Sequence, residues 1–133
     1  MVSPDRLVAL DFFNAFPEAE RATIAEYAEE VDVPSGTTLV SEGEYAYQFF
    51  VIEHGQAEVS ANGERIAELG PGDFFGEVGL MLTGVRTATV KALSPMTLIT
   101  LFQQNFRICE QTYPEIADRL RTAVADRFPI RAR

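Results

Sequence analysis

From about residue 31 to residue 102 the sequence alternates short β-prone runs with turn residues, and this rhythm constrains the fold more than any other feature. The runs are Val31–Val33, Thr37–Val40, Phe49–Ile52, Gln56–Ala61, Arg65–Leu69, Thr87–Leu93 and Met96–Phe102. Pro34-Ser35-Gly36, Glu42-Gly43-Glu44, Asn62-Gly63 and Gly70-Pro71-Gly72-Asp73 punctuate them. Asn62-Gly63 is the strongest turn signal, because both residues tolerate positive φ and they stand between two strands. Strands this short and evenly spaced predict a sandwich or a roll.

Helical patterns flank this region. Ser3-Pro4-Asp5 reads as a helix start, with Ser3 as cap and Pro4 in the first turn. Phe12, Phe13 and Phe16 form an apolar knot before Pro17. Residues 18–29 read as a second helix, with Ala19, Ala22, Ile24, Ala25 and Ala28 apolar and glutamates on the other face. Beyond Phe102, the residues Phe106, Cys109 and Tyr113 share one face. Thr112 with Glu115 reads as a capping box, and Pro114 falls in the first turn of a last helix. Ile116, Leu120 and Val124 recur every four residues along that helix, and Pro129 disfavours helix at Phe128. The expectation is a single domain over residues 1–133, with N-terminal helices over 1–30, a β-roll over 31–102 and C-terminal helices over 103–128.

A chain of 133 residues is one domain's worth, and 47% hydrophobic residues with ten phenylalanines suffice for a sizeable core. The formal charge of −9 makes a poor surface for nucleic-acid phosphates, so no nucleic-acid partner is expected. It does not exclude a small anion, because the field in a pocket is set locally. The single Cys109 excludes an internal disulfide and a cysteine-based metal site, and reads as a small buried hydrophobe. No apolar run approaches the length of a membrane span, and the N-terminus lacks the regions of a signal peptide. A cytoplasmic location is expected.

The chemistry concentrates in residues 74–90, Phe-Phe-Gly-Glu-Val-Gly-Leu-Met-Leu-Thr-Gly-Val-Arg-Thr-Ala-Thr-Val. Gly76 lets backbone approach a ligand closely. A short helix from about Glu77 would present unpaired N–H groups and a positive dipole end to an anion. Arg86 can grip a phosphate through two parallel charge-assisted hydrogen bonds. A carboxylate beside a phosphate repels it, so Glu77 needs another partner, such as a sugar hydroxyl; its alternative role is to stabilise the helix dipole.

This segment closely resembles the phosphate-binding cassette of the cyclic nucleotide-binding domain family. That family includes catabolite activator proteins, protein kinase regulatory subunits and cyclic-nucleotide-gated channels. The resemblance rests on Phe75-Gly76-Glu77-Val78-Gly79-Leu80 and on Arg86-Thr87-Ala88-Thr89-Val90, at the glutamate-to-arginine spacing of many members. Val85 departs from the pattern, since proline often precedes the arginine. The turns at 34–36, 42–44 and 69–73, and Phe50-Val51-Ile52 with Gly55, also fall where the family places them. The resemblance implies an eight-stranded, jelly-roll-like β-roll, mainly β with flanking helices and a C-terminal helix pair. It implies a sensor for a 3′,5′-cyclic nucleotide, cAMP favoured over cGMP, with ligand binding moving the C-terminal helices to signal to a protein effector.

Residue by residue, the resemblance places Arg86 on the phosphate and Glu77 on the ribose. It gives Gly79 and Leu80 roles in the cassette through backbone N–H groups and close packing, and places Ala88 among the ligand-binding residues. Thr87 either bonds the exocyclic amine of guanine or is a plain strand residue. Val59 either touches the base from a hairpin strand or is core. Arg127 either caps the purine from the last helix or offsets the dipole near that helix's C-terminus. Two other classes stay open: an interaction module of this fold that has lost its ligand, and a cupin-like enzyme. The intact polar positions of the cassette weigh against the first. The second generally holds a metal through several histidines, and this chain has one, His54, in a turn. Glu42 and Glu44 stand among turn residues with no nucleophile near, so no enzymatic activity, metal or cofactor is expected beyond the nucleotide ligand.

Overall fold

A computed structural model of the chain describes residues 1–76 and 86–125. Helix α1 (Pro4–Val8), a 3-10 turn (Asp11–Ala15) and helix α2 (Glu18–Tyr27) precede eight strands among the described residues. These are β1 (Glu29–Val33), β2 (Thr38–Val40), β3 (Gln48–His54), β4 (Ala57–Ala61), β5 (Glu64–Leu69), β6 (Phe74–Phe75), β7 (Thr89–Ala92) and β8 (Met96–Phe102). Helices α3 (Gln103–Thr112) and α4 (Ile116–Ala125) follow. The strands form two antiparallel four-stranded sheets, β1-β8-β3-β6 and β2-β7-β4-β5. The architecture is a β-roll with helices at both ends of the chain, mainly β as expected.

The apolar runs of β3 and β8 explain how the layers stack. Strand side chains alternate between faces, so a strand apolar at every position must be covered on both sides. Phe49 and Val51 of β3, with Ile99 and Leu101 of β8, join a cluster shared with the helices. Phe50 and Ile52, with Met96 and Leu98, join Val59, Leu69, Val90 and others inside the roll. The first sheet is therefore the wall between two cores. On its outer side the Phe12 ring sits 4.8 Å from Phe74 and 5.1 Å from Phe49. The three phenylalanines of the expected knot are all buried there, each contributing about 1.5–3 kcal/mol by leaving water. The apolar stripe of α4, Ile116, Leu120 and Val124, closes the same cluster.

Several boundaries differ from expectation, each for a physical reason. The second helix stops at Tyr27, and Glu29 and Glu30 pair with Thr100 and Ile99 instead, so sheet pairing overrides glutamate's helix preference. Strand β6 is too short to show a period. It is held by pairing with Phe50 and Val51 and by stacking of Phe75 on Phe50 at 4.9 Å. Ser3 stands at the helix cap but its side chain makes no capping bond; Arg6 N–H donates to its carbonyl at 3.0 Å. The capping box is not formed. Thr112 ends α3, whose hydrogen bonding runs on through Tyr113 N–H to the Cys109 carbonyl, and Glu115 pairs forward with Arg119. A capping residue must leave helical geometry, and Thr112 stays in it.

Asn62 and Gly63 both have positive φ, 53° and 78°, as a two-residue hairpin between β4 and β5 requires. Cys109 is fully buried, and desolvation pushes its thiol up to about 11, so it stays protonated and unreactive as a core residue. Arg6 fastens α1 to the roll, bonding Glu53 at 2.6 and 3.1 Å and Glu30 at 2.8 Å. That guanidinium holds the Glu53 carboxyl below the usual range. No helix among the described residues is long and apolar enough to cross a membrane.

Candidate functional site

Gly76 directly follows β6, and Arg86 stands three residues before β7. The β3–β6 and β2–β7 pairings belong to different sheets, so the roll brings the two ends of residues 76–86 together across its mouth. The approach is close. A Cβ added to Gly76 would lie 2.7 Å from Arg86 Nη1 and 2.8 Å from the Gln48 carbonyl, and its φ is +81°. Only glycine meets both demands without strain. The sequence predicts close backbone approach at this glycine; the group it approaches in the structure is the arginine's own guanidinium.

Arg86 is only 7% exposed. Its Nη2 donates to the Gln48 carbonyl at 2.7 Å, at the start of β3. Its backbone is fixed by the 42–44 turn: Arg86 N–H donates to the Glu44 carbonyl at 2.7 Å, and Gly43 N–H donates to the Arg86 carbonyl at 2.9 Å. The turn is braced in its own right. Glu42 N–H donates to Thr89 Oγ1 at 3.0 Å, and Glu42 Oε1 accepts from Asn62 N–H at 3.1 Å. Glu42 and Glu44 thus serve the turn, as their neighbours predicted. A guanidinium held this way loses little freedom when it takes an anion.

A cavity of about 290 Å³ opens beside Arg86, lined also by Leu39, Val40, Ser41, Glu44, Tyr45, Tyr47 and Gln48. Tyr45 and Tyr47 are largely exposed. The Tyr47 ring stacks on Phe102 with centroids 6.2 Å apart, and the Tyr47 carbonyl accepts from Gln103 N–H at 2.9 Å. The residue next to the arginine's carbonyl partner therefore anchors the first residue of α3.

The remaining expected residues fall in three groups. Val59 is 7% exposed on β4, opposite Val90 and Ala67, and belongs to the core inside the roll, with Ala88 packed partly against it. Thr87 is exposed and precedes β7 instead of lying in it. Glu77, Gly79, Leu80 and Arg127 lie outside the described residues. Sequence reasoning did not find Gln48, Glu44 or Gly43 as partners of Arg86. Their contribution is main-chain, which leaves no side-chain signature; the 42–44 turn was visible only as a turn. Among the described residues no cluster of histidine, cysteine, aspartate or glutamate could hold a metal ion.

The family model described as the cyclic nucleotide-binding domain matches residues 30–113. The chain is 32% identical over 91% of its length to a cyclic nucleotide-gated potassium channel of Rhizobium etli. It is 34% identical over 77% of its length to a cAMP-dependent protein kinase regulatory subunit of Eremothecium gossypii. It spans 34% and 24% of those two relatives' lengths. A crystal structure from Geobacter metallireducens GS-15 superposes with a TM-score of 0.88, covering 100% of both chains at 22% identity, which speaks to the fold alone.

Proposed function

The chain belongs to the cyclic nucleotide-binding domain family, and we propose that it binds a 3′,5′-cyclic nucleotide, cAMP in preference to cGMP, as a cytoplasmic regulatory sensor without catalytic activity. One such domain would span residues 1–133. The observation that carries this reading is the seat of Arg86: a nearly buried guanidinium, fixed at both backbone ends and pressed against a glycine that no other residue can replace. Phosphate is an anion whose geometry that fork matches. In a chain of net charge −9 a cation set this deep makes a local site for an anion that the surface as a whole repels.

In this reading Arg86 takes the cyclic phosphate with the backbone of Gly76, Gly79 and Leu80, while Glu77 accepts from the ribose 2′-hydroxyl. Ala88 packs the cassette, Val59 lies under the base, Thr87 meets the base edge and Arg127 caps it. The preference for cAMP draws on the likeness to a cAMP-dependent kinase regulatory subunit. The output is movement of the C-terminal helices, read by a protein effector; the anchoring of Gln103 on Tyr47 supports a link from the site to α3. Ligand shifts that equilibrium only by its differential affinity for the helix positions.

Thermal unfolding tests the reading. A ligand at about one hundred times its dissociation constant stabilises by roughly 2.7 kcal/mol, which for a domain of this size raises the melting temperature by several degrees. Melting curves unmoved by millimolar cAMP and cGMP would refute it.

A further inference from the structure

We infer that Glu20 and Arg119 are positioning residues that fix the register of α4 against the N-terminal helices and thereby set nucleotide affinity. The inference rests on the proposed movement of the C-terminal helices.

Glu20 is an acid in an apolar place. It is 4% exposed, on α2, beside the cluster that contains Phe12, Phe16 and Ile24. Its partner stands 99 positions away: Arg119 Nε donates to both carboxylate oxygens, at 2.9 and 3.0 Å. Arg119 Nη2 also reaches Glu115 at 2.9 Å on its own helix. The other end of the bracket is fixed too, since Arg21 of α2 donates to the Phe16 carbonyl at 2.6 Å and so holds the end of the 3-10 turn.

Among the described residues, Ile116, Leu120, Ala123 and Val124 of α4 join the apolar cluster that the N-terminal helices share. Apolar contact is non-directional and tolerates more than one register. On one side α4 borders a solvent-open groove of about 520 Å³, lined by Ala15, Glu115, Asp118, Arg119 and Thr122, and not another packed element among the described residues. A helix with room beside it and greasy contacts beneath it can settle in neighbouring positions. The Glu20–Arg119 bond permits one. Buried ion pairs add little stability over well-packed apolar residues, and their best-attested use is to specify register.

The test pairs calorimetric cAMP titration with amide exchange over residues 116–125, in wild type, Glu20→Met, Arg119→Met and the double variant. Methionine fills the space and removes the directional bond. The expected result is a change of at least about fivefold in cAMP affinity in each single variant, with no further change in the double variant, and faster exchange in α4. Should either single variant fail to fold, the double variant carries the expectation of altered affinity and faster exchange, since it removes the bond and leaves no buried charge unpaired. Variants that bind cAMP within about twofold of wild type and exchange at its rate overturn the inference. If wild type binds neither cAMP nor cGMP, the proposed function falls by itself. The exchange rates alone then decide: unchanged rates in α4 overturn the positioning role, and faster ones support it.

Discussion

Arg86→Ala is expected to weaken cyclic nucleotide binding by at least about 2 kcal/mol, roughly thirtyfold. In the proposed reading the change removes the charge-assisted contact to the phosphate and leaves that anion under-paired in a chain of net charge −9. Some stability is lost as well, since the buried side chain and its bond to the Gln48 carbonyl go, but the local backbone should hold. The bonds that tie residue 86 to the 42–44 turn, from its N–H to Glu44 and from Gly43 to its carbonyl, are main-chain and survive in alanine. Arg86→Lys should recover only part of the loss, because a lysine lacks the planar fork that could bond the Gln48 carbonyl and an anion together. Direct titration of the three proteins, with circular dichroism to confirm folding, decides the matter. Wild-type affinity in a folded Arg86→Ala variant would remove this residue from the site.

Gly76→Ala should be nearly as damaging, by a different route. Its φ of +81° is strained for any residue with a Cβ, at a cost of order 1–3 kcal/mol. The new methyl would also stand 2.7 Å from Arg86 Nη1 and 2.8 Å from the Gln48 carbonyl, inside contact distance of both. Something must move: the guanidinium can swing away, but the Gln48 carbonyl yields only if the β3 backbone shifts. We expect a melting temperature lower by roughly 5–10 °C and a loss of nucleotide affinity approaching that of Arg86→Ala. A protein that melts and binds like wild type would mean that this close approach carries no weight.

These two residues mark what the sequence discloses and what it does not. Gly76 and Arg86 stand out in the primary structure because their side chains, or lack of one, are themselves the signal. The carbonyls of Gln48 and Glu44 are invisible there, since every residue has one. The same division runs through the fold. Strands β3 and β8 are legible as long apolar runs, and the hairpin at Asn62-Gly63 as a pair that accepts positive φ. Strand β6 is two phenylalanines with no period to read, and only the partner strand makes it a strand. The helix α2 ends before the sequence predicts, because Glu29 and Glu30 favour helix locally while β8, distant in sequence, offers them a ladder. Thr112 has the composition of a capping box but lies inside α3. The Glu20–Arg119 pair joins residues at opposite ends of the chain, and no local pattern announces it. The assignments of Glu77, Gly79, Leu80 and Arg127 rest on the sequence resemblance, since those residues lie outside the described structure.

In the proposed reading Thr87 meets the base edge near the cassette's end. Thr87 is exposed in the segment leading into β7. Nothing in the described core restricts the choice, so the nucleotides themselves must be compared. Calorimetric titration of the wild-type chain with cAMP and with cGMP tests the central claim most directly. The account predicts saturable one-to-one binding of both, tighter for cAMP; absence of saturable heat with either nucleotide, in a protein shown to be folded, would contradict it.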